Sequence, residues 1–520
     1  MTKVIILGLD GATWRILEPL ARNGEMPNLK SLMAKGSWGP LESTIPPVTG
    51  AAWLSLATGL NPSKTGIIDF LKRTEDFNLK PVSSSDFKNI SLWDILSNSG
   101  KTCAILDYPM LYPPYKINGF ILSTWGGEVK TYLRKLEKDL KNLLEDYDIF
   151  VNYHEEKYDD LNLFIQHLNQ ALEKKLKITH QILTRENWDL FITVISHTDW
   201  IQHRLWQYID EQHPLHNKQE SLQILPHFLE FWKKIDKHIG ELASIASYFF
   251  IVSDHGFGPQ YGCFNLPKWL EKKGYIKRKR SLKTLFKPIA SALEGTFIAK
   301  LLPEKVRGQG IKLLKPISEI DIAKSKVYIL GHTIPFGALY LNSKNPEQTT
   351  ALKNELIDSL RNIKKDINQD VHVTVFDAKK IYVGNKTELL PDIIFTINNW
   401  SCVIVKDFKA NFLYKDAPYS NRHTGSHRLN GIFLVCGPDI RNGFKAKGFK
   451  IYDIAPTILH IFDVSIPKNM DGRILTEIFK PDSEIAKRKP KYVDMAFYEK
   501  KTLEEQTKAK IEKLKKWRKI

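Results

Sequence analysis

Val4-Ile5-Ile6-Leu7-Gly8-Leu9-Asp10-Gly11 stands almost at the start of the chain, an unbroken apolar run closed by an acid and a glycine. Continuous apolarity, as opposed to alternation, marks a strand covered on both faces, as in a parallel sheet, and the acid falls at the strand end where such sheets bind ligands. Comparable runs recur at Thr102 to Leu106, Asp189 to Ile195, Tyr248 to Val252, Asp392 to Thr396 and Gly431 to Cys436, most of them separated by long amphipathic stretches. That alternation predicts an α/β fold built on a doubly wound, mostly parallel sheet.

The 520 residues suffice for one large core with insertions, and an apolar share of 42% with 26% charged residues excludes global disorder and fibrous architecture. A net charge of +18 favours anionic partners, phosphorylated metabolites among them. The basic residues are dispersed and no recognition motif accompanies them, so specific nucleic-acid binding is not expected. Cys103, Cys263, Cys402 and Cys436 lie far apart without CxxC spacing, which fits reduced, buried thiols. The opening apolar run is too short and wrongly flanked for a signal peptide, and no apolar stretch reaches about 18 residues. A cytoplasmic protein is the expectation.

Two regions interrupt the rhythm. Residues 127–180 are rich in Lys, Glu, Asp and Leu at helical spacing and read as a helical cap insertion. A second insertion, 277–385, opens with Lys277, Arg278, Lys279 and Arg280 and then sets Phe286, Ile289, Ala290, Leu293 and Phe297 on one helical face. A basic amphipathic segment of this kind either caps its own protein or makes a peripheral membrane contact. Residues 1–480 then form the catalytic domain, and 481–520 a basic helical tail with Leu503, Ile511, Leu514 and Trp517 available for docking.

Four short segments carry candidate chemistry. Asp10 ends the first strand; Ser253-Asp254-His255-Gly256 ends a later one, setting a hard oxygen ligand beside an imidazole, as zinc or manganese requires. In Asp199-Trp200-Ile201-Gln202-His203 the i,i+4 spacing places carboxylate and ring on one helical face. Gly425-Ser426-His427-Arg428 puts a further imidazole at the entrance to a late strand. Thr49, in Thr44-Ile45-Pro46-Pro47-Val48-Thr49-Gly50-Ala51-Ala52-Trp53, supplies a hydroxyl where a helix begins and backbone N–H groups can meet a phosphate.

The order of these motifs, with Ala57-Thr58-Gly59-Leu60-Asn61-Pro62, Asp453-Ile454-Ala455-Pro456-Thr457 and Met470-Asp471-Gly472, resembles the type I phosphodiesterase/nucleotide pyrophosphatase branch of the alkaline phosphatase superfamily. The resemblance spans about residues 1–480 and is closest to phosphohydrolase- and phosphomutase-like members. It implies a metal-dependent phosphohydrolase with two divalent ions, zinc first and manganese second. One would be held by Asp199, His203 and His427, the other by Asp10, Asp254 and His255 with Thr49. Thr49 would attack a phosphate mono- or diester and pass through a phosphothreonine. Lys64, Arg422 and Arg428 are the cations nearest the motifs and are candidates for substrate binding. The expected partner is a phosphorylated small molecule, glycan or lipid. Two alternatives share the constellation: phosphotransfer or mutase chemistry on the same centre, and a silent fold that binds polyanions.

Overall fold

The computed structural model describes residues 2–74, 79–132, 141–145, 147–279, 319–330, 335–343, 345–406, 408 and 410–498. The amphipathic face from Phe286 to Phe297 and the docking residues Leu503 to Trp517 lie outside the described residues. The opening run forms the strand Val4–Leu9, wholly buried, at the centre of a ten-stranded sheet. Leu190–Ile195 and Tyr248–Val252 flank it in parallel, and Cys103–Leu106 and Gly119–Ser123 continue the parallel order on one side. The run is apolar throughout because successive residues meet two cores in turn. Val4 and Ile6 enter a cluster with Trp53, Leu92 and Ile458, whereas Ile5, Leu7 and Leu9 enter one with Leu17, Leu172 and Phe231. Helices therefore cover both faces, and the sheet is a mixed, mostly parallel α/β core.

Gly431 to Cys436 belongs to the strand Asn430–Cys436, which runs antiparallel between Tyr248–Val252 and Ser37–Glu42. The expectation for Asp392 to Thr396 is corrected more sharply. Ile393–Ile397 pairs antiparallel with Gly337–Leu341 and Val373–Asp377 in a separate four-stranded sheet. Ile393, Phe395 and Ile397 enter one core while Ile394 enters another, so this strand is apolar on both faces just as a parallel central strand is. The second unit is also wider than 277–385, since Phe264, Leu266 and Trp269 share its core with Cys402, Ile404 and Phe408.

The helical region at 127–180 divides differently from the expectation. Helix Leu161–Arg185 buries Phe164, Leu168, Leu172, Ile178 and Ile182 against the main sheet, so it is a crossover helix of the core. Residues 481–498 likewise return to the body: Tyr492–Val493 pairs with Ile466–Pro467, and the Tyr498 hydroxyl donates to Ser465 O at 2.6 Å. Among the described residues, no helix is long and apolar enough to cross a membrane.

One buried ion pair fastens the crossover helix to the sheet. Lys175 Nζ lies 2.7 Å from Asp107 Oδ2, with the two side chains 0% and 4% exposed. Tyr147 and Thr124 hydroxyls donate to the same carboxylate at 2.6 and 3.0 Å. Lys175→Met leaves that buried carboxylate without its cation and should cost about 3–5 kcal/mol. Urea unfolding of Lys175→Met measures the loss, and Asp107→Asn in the same background should recover part of it.

Candidate functional site

Three neighbouring strands end level with one another. Leu9 is in register with Ile195 and Gly8 with Val252, so Asp10, the helix His197–Ile209 and Asp254-His255 all emerge at one edge of the sheet. Local bonds fix these termini. Thr198 Oγ1 donates to Asp10 O at 2.7 Å, Gln202 Nε2 to Gly11 O at 2.9 Å, and Gly11 N to Asp254 Oδ1 at 3.1 Å. Gly11 adopts φ +65°, and a Cβ there would lie 3.1 Å from Asp199 Oδ1 and 2.9 Å from the Phe257 ring. Its lack of a side chain is thus a condition of the site.

His427 comes from much later in the sequence. Its strand, Gly425–Arg428, pairs antiparallel with Gly256–Pro259, which sets His427 opposite Phe257 and beside the other ligand candidates. The six acidic and imidazole residues fall into two groups, Asp199 with His203 and His427, and Asp10 with Asp254 and His255, each with its ligand atoms within 4.8 Å of one another. In the first, Asp199 Oδ2 is 3.4 Å from His203 Nε2 and Asp199 Oδ1 is 3.4 Å from His427 Nε2. In the second, His255 Nε2 is 3.6 Å from Asp10 Oδ1 and 3.4 Å from Asp254 Oδ2. Asp199 Oδ1 also stands 4.0 Å from His255 Nε2, so this carboxylate lies between the groups. Thr49, first residue of helix Thr49–Thr58, brings its Oγ1 to 3.3 Å from His255 Nε2.

The hydrogen-bond pattern fits a pair of cations. Nδ1 of His203, His255 and His427 is paired with the carbonyls of Gly425, Gly256 and Pro47 at 2.9, 3.0 and 3.0 Å. That pairing fixes the ring tautomers and turns each Nε2 lone pair inward. Asp10 Oδ1, Asp199 Oδ1 and Asp254 Oδ2 are buried without hydrogen-bond partners. Burial, and then repulsion from Asp254 and Asp199, holds the Asp10 carboxyl well above its usual range. Burial and Asp199 push Asp254 up to about 7 against the pull of the Gly11 N–H. Burial and neighbouring imidazoles hold His203 and His255 well below theirs, so both rings are neutral. Clustered carboxylates and neutral imidazoles in a dry site are a donor set that divalent ions satisfy.

The three proposed substrate cations are committed elsewhere. Lys64 pairs with Asp471 at 2.7 Å, and Arg422 pairs with Asp159 while donating to His154 O at 3.0 Å. Arg428 is half-buried, donating to the carbonyls of Trp400 at 3.0 Å, His427 at 2.9 Å and Pro259. Arg428 is therefore a brace for the strand that carries His427. Sequence reasoning missed the aromatic cage around His203. Tyr153 stacks on that ring at 5.2 Å, Phe257 meets it edge-on at 4.7 Å, and the buried His423 lies 4.3 Å away. His423 stands four residues before His427, a spacing that could have flagged it, whereas Tyr153 carries no local signal.

A centre of this make-up at the strand ends of a mixed α/β sheet agrees with the expected class of phosphoester hydrolases. Within it, the chain belongs to the type I phosphodiesterase/nucleotide pyrophosphatase family, whose profile matches residues 4–427. It is accordingly a phosphoester hydrolase. Two solved structures share its fold. Murine ectonucleotide pyrophosphatase/phosphodiesterase 5 is 13% identical with a TM-score of 0.52, covering 92% of this chain and 100% of its own. Phosphonoacetate hydrolase from Sinorhizobium meliloti 1021, in complex with phosphonoformate, is 14% identical with a TM-score of 0.54, covering 87% and 94%. No curated protein matches the sequence.

Asp254→Asn relieves the carboxylate repulsion while keeping an acceptor for the Gly11 N–H. The variant should melt higher than the parent when both are stripped of divalent ions with a chelator. It should also lose most of the stabilisation that zinc or manganese confers on the parent. Differential scanning calorimetry with and without metal reads both effects.

Proposed function

We propose that the chain is a two-metal phosphohydrolase that cleaves phosphate mono- or diesters through a phosphothreonine on Thr49. The observation carrying this reading is the Thr49 hydroxyl at 3.3 Å from His255 Nε2, at the head of a helix and beside two groups of candidate metal ligands. Asp199, His203 and His427 would hold one ion, and Asp10, Asp254 and His255, with Thr49, the second; zinc is favoured by the nitrogen and carboxylate donors, manganese next. Bound ions of this kind supply Lewis acidity, lowering the pKa of a hydroxyl or water and neutralising phosphoryl oxygens.

The protein's own groups do the rest. Val48 precedes the Thr49–Thr58 helix without a side-chain cap, so its first-turn N–H groups are available to phosphoryl oxygens. Thr49 Oγ1 forms the new bond to phosphorus as the ester oxygen leaves with its electron pair and gains a proton. Water then attacks the phosphothreonine and returns the hydroxyl. A threonine-to-alanine form of murine ectonucleotide pyrophosphatase/phosphodiesterase 5, described as inactive and in complex with AMP, supports a threonine in this role on the same fold. The substrate in this reading is a phosphorylated small molecule, glycan or lipid met in the cytoplasm. The sheet in this reading is doubly wound, and peripheral membrane contact falls to the basic segment after Lys277.

With zinc or manganese added, the purified chain should hydrolyse an aryl phosphate ester. Thr49→Ala should lower kcat/KM by at least about 1,000-fold while two equivalents of metal remain bound. Steady-state kinetics together with metal analysis tests this, and full turnover in the variant removes Thr49 from the mechanism.

A further inference from the structure

Trp53 stands one helical turn after Thr49, so the two side chains leave the same face of helix Thr49–Thr58. Its ring reaches across to the opening strand. A Cβ on Gly8 would run into Cη2 of the indole and lie 3.1 Å from Cζ3, so the Trp53 side chain occupies the space that Gly8 leaves. Val4 and Ile6 share a core cluster with Trp53 while Ile5, Leu7 and Leu9 enter the other, which puts Gly8 and Asp10 on the Trp53 face by alternation. Asp10 continues the extended ladder, its N–H donating to Ile195 O at 3.2 Å, and it lies about 7 Å beyond Gly8. The ring thus covers the strand immediately before the acid.

Trp53 is 0% exposed, and Tyr108 holds it from a further side, with the rings edge-on at 5.5 Å and the Tyr108 hydroxyl donating to Trp53 O at 2.6 Å. In this packing the indole Nε1 and Asp10 Oδ1 are both buried without a hydrogen-bond partner. Burial, then Asp254 and Asp199, raise the Asp10 carboxyl, and the nearby Trp53 side chain draws it down although no full hydrogen bond has formed. A phenylalanine would fill this core without leaving a donor to satisfy, whereas an N–H beside an ionised acid recovers its desolvation through a charge-assisted bond. A carboxylate that meets a cation with one oxygen is held in place by a donor to the other. Trp53 stands where that donor is needed.

Resting on the reading that Asp10, Asp254 and His255 hold an ion beside Thr49, we propose that Trp53 is a positioning residue. Its indole N–H donates to the Asp10 carboxyl group and sets which oxygen faces the ion. Because Thr49 begins the same helix one turn earlier, this bond also keeps the reacting hydroxyl and the acid at a constant separation.

Two measurements on the full chain test this. In the metal-free chain with isotopically labelled indole nitrogens, the Trp53 indole N–H resonance, assigned by its loss in Trp53→Phe, should shift upfield in Asp10→Ala. Competition with a chromophoric chelator should show two zinc equivalents in the parent. Trp53→Phe should weaken one of them about 10–100-fold and leave the other unchanged. Trp53→Leu serves in the same way if the phenylalanine variant does not fold. Trp93→Phe removes an indole from the same cluster, where its N–H donates to Tyr115 Oη at 2.8 Å, and should leave both affinities as in the parent. An indole resonance that ignores Asp10→Ala, a Trp53 variant with both zinc affinities unchanged or both lowered alike, or the same loss in Trp93→Phe overturns the proposal. A parent that binds fewer than two zinc equivalents while its indole resonance follows Asp10 rejects the two-metal reading and keeps the bond. Two equivalents with an indole that ignores Asp10 do the reverse.

Discussion

Three acids crowded into a dry strand edge are the constraint on which the rest of this structure turns. Asp10, Asp199 and Asp254 are buried, each has an oxygen without a hydrogen-bond partner, and the His203 and His255 rings among them are held neutral. Left alone, such a cluster opposes folding, because like charges in a low-dielectric site repel and cannot be solvated. The surrounding scaffold answers by over-determining every backbone position. Thr198, Gln202 and Ser253 tie the three strand termini to one another, with Ser253 Oγ donating to Ala12 O at 2.9 Å and accepting from Ile432 N at 2.8 Å. Stability is spent locally so that ligand atoms converge, which is the usual bargain of a functional site.

The parts legible in the sequence are those whose signal is local. A continuous apolar run that ends in an acid is a strand end whichever sheet it joins, and an i,i+4 Asp/His pair faces one way on any helix. For that reason Asp10, Asp199, His203, Asp254 and His255 could be named in advance and are found together. What failed depends on which surfaces meet. Ile393–Ile397 has the composition of a central parallel strand because two different cores flank it, and composition does not record which cores these are. Arg428 is next to His427 in sequence, yet adjacent residues in an extended strand face opposite sides, so the guanidinium points to the carbonyls of Trp400 and Pro259. Tyr153 reaches His203 only through the path of the chain ahead of helix Leu161–Arg185.

The second unit is more than an ornament of the sheet. Its strands carry their own apolar core, but the cluster that holds Val48 is shared between it and the segment leading into Thr49. The position of the threonine hydroxyl is therefore set from two directions. The main sheet supplies His255 and the acids, while Tyr382, Phe336 and Trp400 support the turn from the opposite side. A division of labour of this kind, with one face fixing the reacting atoms and another shaping what lies beyond them, lets the chemistry stay constant while the recognised alcohol changes.

The strand Asn430–Cys436 is wedged between partners from residues 37–42 and 248–252, and His427 lies just ahead of it. A ribosome releasing this polypeptide has exposed five of the six candidate ligand residues long before the last one, His427, emerges. The residue that completes the first candidate group is thus carried by the segment that leads into this central strand. A chain whose strand Asn430–Cys436 is not yet in place consequently lacks a settled position for His427, and with it the third member of the first candidate group.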